Sequence, residues 1–166
     1  MSLVKTMRLL HERYLGLQDL LEEFRVTVQE DHPREGEAVV VDGLSDATDD
    51  ILGWLNESSS ELEEGIRSLD SKRDYSGALK SLIACHQKLL LILQKFSSEM
   101  VRYEHIEELV QLAKERAGEW PSWSASVRES LERLRQPLND VQEVVLECWQ
   151  EVAETVSRKP IQAARA

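Results

Sequence analysis

The side chains able to do chemistry in this chain are few and scattered. They are four histidines (His11, His32, His86 and His105), two cysteines (Cys85 and Cys148) and a dense set of carboxylates between residues 30 and 70. A dinuclear metal site in a helical bundle needs Glu-x-x-His pairs on facing helices, and none of the four histidines has a glutamate three residues before it. His105, flanked by Glu104 and Glu108, reads as a solvated cluster. The run Asp42-Gly-Leu-Ser-Asp46-Ala-Thr-Asp49-Asp50 lacks the ligand order and the bidentate glutamate of a calcium-binding EF-hand loop. No Cys-x-x-Cys pair, Gly-rich phosphate loop or Gly-x-Ser-x-Gly elbow occurs. The expectation is a protein that is not an enzyme and that carries no catalytic residues, metal or cofactor.

His86 is the single residue that stands out, because it falls between Leu82 and Leu89 in the most apolar part of the chain. Its expected role is a core histidine bonded to a neighbouring polar group; the alternative is a phosphoacceptor. Histidine phosphotransfer modules are acidic four-helix bundles that set a lysine three residues after the histidine, followed by glycine. The order here is His86-Gln87-Lys88-Leu89-Leu90. The two cysteines are expected to be buried thiols. A hairpin turning near Pro121 would place Cys148 roughly 14 Å along the axis from Cys85, at ~1.5 Å rise per residue, whereas a disulfide needs Cα atoms within about 7 Å.

Charge is the strongest asymmetry. The formal net charge is −11, and residues 30 to 70 hold thirteen of the thirty-one acids but only two of the twenty bases, Arg34 and Arg67. That segment therefore carries −11, and the remainder, with eighteen of each sign, is neutral. Asp42, Asp46, Asp50, Glu57, Glu61 and Glu64 recur mostly every three or four residues, so a helix places them on one side. Such a ridge is either a solvated face partly neutralised by neighbouring helices or a docking surface for a basic protein. The same charge argues against nucleic acid, which needs a basic footprint. Trp120 and Trp123 flank Pro121. Aromatics at a helix turn cap the bundle end or, being the residue types that dominate binding hot spots, form a contact.

Long amphipathic helices must position these residues. Only seven Gly and four Pro occur in 166 residues, and 31% of the chain is charged, a profile typical of helical proteins. Leu3, Met7, Leu10, Tyr14, Leu17, Leu21, Phe24 and Val28 keep a 4-3 heptad spacing that predicts a first helix from Leu3 to Asp31. His32-Pro33-Arg34-Glu35-Gly36 breaks it. A second helix is expected from Asp42 as N-cap, with Ser58-Ser59-Ser60 as a soft spot, and Asp70 to Asp74 form the next turn. The third, from Tyr75 to Ala117, has a seam through Leu79, Leu82, His86, Leu89, Leu93 and Phe96, a weak point at Ser97-Ser98, and apolar residues on most other faces. That places it at the bundle centre. The fourth runs from Trp123 to Arg158 on Val127, Leu131, Leu134, Leu138, Val141, Val145, Cys148 and Val152, with a kink at Pro137.

The expected fold is all-α, an up-down-up-down four-helix bundle of long, unequal, coiled-coil-like helices. Residues 1–158 form one helical-bundle domain, and 159–166 form a frayed C-terminal tail. The first residues enter on a helical pattern without the apolar stretch of a signal peptide, and the longest apolar run, Leu89 to Leu93, is too short to span a membrane. A cytoplasmic location follows as an expectation. The expected function is a protein–protein interaction module, whether adaptor, scaffold or immunity-type inhibitor, that takes a protein partner with a basic surface. The extra length of the third and fourth helices makes a homodimer a further expectation.

Overall fold

An apolar residue every third and fourth position commits a helix to one buried face, and the first thirty residues show the result. In the computed structural model, which describes residues 2–30, 38–112 and 120–165, all eight positions of that first heptad series are buried. They lie on α1 (Leu3–Glu30), followed by α2 (Ala38–Lys72), α3 (Tyr75–Leu112) and α4 (Trp120–Arg165). Each helix packs on two neighbours: α1 on α2 and α4, α3 on α2 and α4. Among the described residues the backbones of α1 and α3, and of α2 and α4, do not approach one another, and these diagonal pairs meet only through side chains in the core. This is an up-down-up-down four-helix bundle around a single core, with the α2–α3 seam the most extensive and the α3–α4 seam the thinnest.

Arg73-Asp74 connects α2 to α3. Arg73 adopts the left-handed conformation (φ 49°) that ends a helix, and the Asp74 N–H turns back to the Ser68 carbonyl at 2.9 Å. Asp74 then caps α3, its Oδ1 accepting from the Gly77 N–H at 3.1 Å. Gly65 lets α2 and α3 approach closely, because a Cβ there would stand 2.7 Å from Ser81 Cβ and 2.9 Å from Met7 Cε.

The structure departs from the sequence expectations at four places. α2 begins at Ala38, so Asp42 lies inside the helix rather than capping it. α4 begins at Trp120 and continues through Arg165, beyond both expected ends; its last residues, Ile161-Gln-Ala-Ala-Arg, include good helix formers. Neither Ser58-Ser59-Ser60 nor Ser97-Ser98 interrupts its helix, whereas Pro137, as expected, stands inside α4. The largest difference is the phase of α3. Ala78, Cys85 and Ile92 are fully buried, whereas Leu79, His86 and Leu93 are only half-buried, and Ile83, Leu90 and Leu91 stand exposed. The helix is not surrounded by others: it has two neighbours and an open outer side. The expected stretch 113–117, the break at 32–36 and the turn at Gly118 lie outside the described residues.

Candidate functional site

The acidic ridge forms on α2 as its spacing requires, but neighbouring helices neutralise part of it. Lys88 of α3 reaches Glu57 at 2.5 Å and Lys95 of α3 reaches Asp50 at 3.4 Å. On the other flank of α2, Arg25 pairs with Asp49 at 3.4 Å and Arg8 with Asp70 at 2.7 Å, while His11 Nε2 stands 3.3 Å from Glu63. Asp46, Glu61 and Glu64 make no ion pair with any described residue, and Asp46 and Glu64 are exposed. The side chain of Asp42 lies outside the described residues. The ridge therefore keeps two zones without an ion pair among the described residues, Asp46 at one end, where the Arg102 guanidinium lies against Gly43, and Glu61-Glu64 at the other, with two ion pairs between them.

Trp123 is not on the surface. It is 2% exposed, and its indole N–H donates to the Val28 carbonyl of α1 at 3.4 Å. Tyr103 sits beside it in the same end of the bundle, its hydroxyl donating to the Ser124 carbonyl and lying 2.7 Å from Ser124 Oγ. Trp123 therefore closes the bundle rather than waiting for a partner. The side chain of Trp120 lies outside the described residues.

His86 bonds a neighbour as expected, though at the core's edge: its Nδ1 accepts from the Trp149 indole N–H at 3.2 Å, with the rings edge to face at 6.1 Å. That nitrogen is thereby used, which leaves Nε2 as the only position open to a phosphoryl group. The His86–Trp149 contact also corrects the register of the α3–α4 hairpin. It sets Cys85 and Cys148 at the same level, not roughly 14 Å apart along the axis, and both are buried free thiols. Tyr14 of α1 and Ser58 of α2 complete this level, with the Cys85 thiol donating to the Ser58 carbonyl at 3.4 Å. Burial, helped by Glu61, pushes the Cys85 thiol up to about 12, and burial does the same to Cys148. These thiols are protonated at neutral pH and are poor nucleophiles. Among the described residues no group of three or more His, Cys, Asp or Glu side chains gathers to hold a metal ion.

The feature that sequence reading missed is the outer side of α3. From 83 to 101 its exposed positions hold only Ile, Leu, Val, Gln and Ser, in a chain that is 31% charged. Ile83 is 48% exposed, Leu90 56% and Val101 67%. Leu146 of α4 is likewise exposed. Ile83, Gln87, Leu90, Gln94, Ser97 and Val101 keep a 4-3 spacing of their own, a second heptad series on the side opposite the core. Its signal in the sequence is the excess of apolar residues around α3, a pattern that central burial and a second exposed stripe share.

The chain matches no family model, no curated protein and no solved structure. Among the described residues no helix is long and apolar enough to cross a membrane.

Proposed function

We propose that this protein is a non-enzymatic interaction module that docks a basic protein surface along the acidic face of α2. The observation that carries this reading is the incomplete neutralisation of the ridge. α3 supplies lysines to Asp50 and Glu57, whereas Asp46, Glu61 and Glu64 stay without an ion-pair partner among the described residues. Carboxylates held on a rigid helix at three- and four-residue spacings present a fixed charge pattern, and such a pattern steers and orients a basic partner. Like charges at those spacings cost an isolated helix a few tenths of a kcal/mol per pair, so the ridge is a feature the fold carries at some expense to α2.

The test reverses charge at Asp46, Glu61 and Glu64 to lysine while leaving the Asp50–Lys95 and Glu57–Lys88 pairs in place. A basic protein or polylysine column that retains the wild-type chain at low ionic strength should release the triple variant at much lower salt, with the helical circular dichroism unchanged. Equal retention of the two proteins would refute docking along this face.

A further inference from the structure

We infer that the uncharged outer stripe of α3 is the docking surface for a second copy of this chain, packed antiparallel about a two-fold axis level with Ile92. This interface is separate from the acidic face of α2 and does not depend on it. A stripe of Ile83, Gln87, Leu90, Gln94, Ser97 and Val101 at 4-3 spacing is the seam of a coiled-coil pair, and no helix of the same chain covers it. The stripe leaves α3 on the flank opposite Lys88 and Lys95, the residues that reach α2. The acidic ridge is thereby held back from the contact.

The choice of a second copy, and of its direction, comes from symmetry and charge. Reversal about Ile92 maps Ile83 onto Val101, Gln87 onto Ser97 and Leu90 onto Gln94, so the two largest end residues meet each other. The next positions in the same phase are Lys80 and Glu104, and they also exchange. Both are exposed, and neither makes an ion pair with any described residue. An antiparallel pair sets each Lys80 against the other copy's Glu104 at both ends of the stripe. A parallel pair sets Lys80 against Lys80 and Glu104 against Glu104. From Lys80 to Glu104 the contact runs about 36 Å at ~1.5 Å per residue. A single pair of facing helices is a small interface, so a dissociation constant on the order of 10 µM is expected.

Sedimentation equilibrium over a micromolar to near-millimolar series tests this on the full chain. The wild type should fit a monomer–dimer equilibrium. Leu90→Asp, at an exposed position, should be monomeric throughout with unchanged helicity and thermal midpoint. Lys80→Glu replaces two attractive end contacts with two repulsive ones and should weaken dimerisation about tenfold. Adding Glu104→Lys to it should restore the wild-type constant to within about twofold, because both contacts are rebuilt with the signs exchanged. A wild type that stays monomeric across the series, or a dimer that Leu90→Asp leaves intact, overturns the interface. A Lys80→Glu variant that dimerises like the wild type, or a double variant no better than the single one, overturns the antiparallel register. Retention on polylysine is unaffected by the outcome, so failure here and failure of the acidic-face reading are distinguishable.

Discussion

Two buried tyrosines show how the same side chain takes opposite roles according to what its hydroxyl meets. Tyr14 is fully buried and its hydroxyl has no hydrogen-bond partner. Ser58 is close enough to ease its ionisation slightly, but the two oxygens do not meet in hydrogen-bond geometry. Tyr103, at the other end of the bundle, bonds both the carbonyl and the hydroxyl of Ser124. A buried polar group without a partner costs about 1–3 kcal/mol, and a satisfied bond contributes about 1 kcal/mol. Tyr14→Phe should therefore be neutral or stabilising by up to about 1 kcal/mol in urea unfolding, and Tyr103→Phe should destabilise by about 1 kcal/mol. The reverse order would show that the Tyr14 hydroxyl is bonded in solution. At this scale the sequence announced residue types and left their surroundings open. Trp123 and His86 were visible as unusual, but only packing shows that one caps Val28 and the other accepts from Trp149.

At the scale of the element, α1 and α4 were readable because each has a single apolar stripe, and a 4-3 spacing then determines which face turns inward. α3 has two, separated by roughly half a turn. With apolar residues on nearly every side, spacing alone leaves the phase open, and the core took Ala78, Cys85 and Ile92 instead of Leu79, His86 and Leu93. The hairpin register differs from the expected one for a related reason. It depends on where the chain reverses between α3 and α4, which periodicity does not report. Glycines make the element-level packing testable. A Cβ at Gly16 or Gly53 meets nothing within 4 Å, whereas at Gly65 it meets Ser81 and Met7 below 3.0 Å. Gly→Ala in an open helix position stabilises by about 0.4–1 kcal/mol. Crowding a packed seam costs about 1–3 kcal/mol. Gly16→Ala and Gly53→Ala should each raise the thermal midpoint, and Gly65→Ala should lower it despite the better helix propensity. A rise in all three would mean that α2 and α3 are not held as closely as the Gly65–Ser81 approach requires.

For the whole molecule, the level that joins Tyr14, Ser58, Cys85 and Cys148 matters because each of the four helices contributes one member. An ionised group there is buried among all of them, so its cost falls on the bundle and not on one helix. Cys85 and Cys148 are each pushed from 9.0 up to about 12 by burial. The folded chain thus keeps both protons in a range where the unfolded chain has released them. Stability is complete below about pH 9, where both states are protonated. It declines from there towards pH 12, because the unfolded state binds fewer protons than the folded one and the slope of unfolding free energy with pH is negative. Between pH 9 and 10 the unfolded chain also starts to release its phenols, about half of them by pH 10, while burial keeps the Tyr14 and Tyr103 hydroxyls protonated in the fold. The phenols therefore add to the decline, and the two thiols contribute the larger part. The expected loss is about 2 kcal/mol per pH unit for the pair. Urea titrations at closely spaced alkaline pH values measure it directly, and Cys85→Ala/Cys148→Ala, although less stable at neutral pH, should show a much flatter dependence over that unit. An equally steep decline in the double variant would place the alkaline sensitivity outside the core and remove the thiols from any part in it. Because the four helices meet at that level, the decline should register as one transition shared by backbone circular dichroism and tryptophan fluorescence. Trp149 lies one residue from Cys148, and Trp123 closes the far end of the same core.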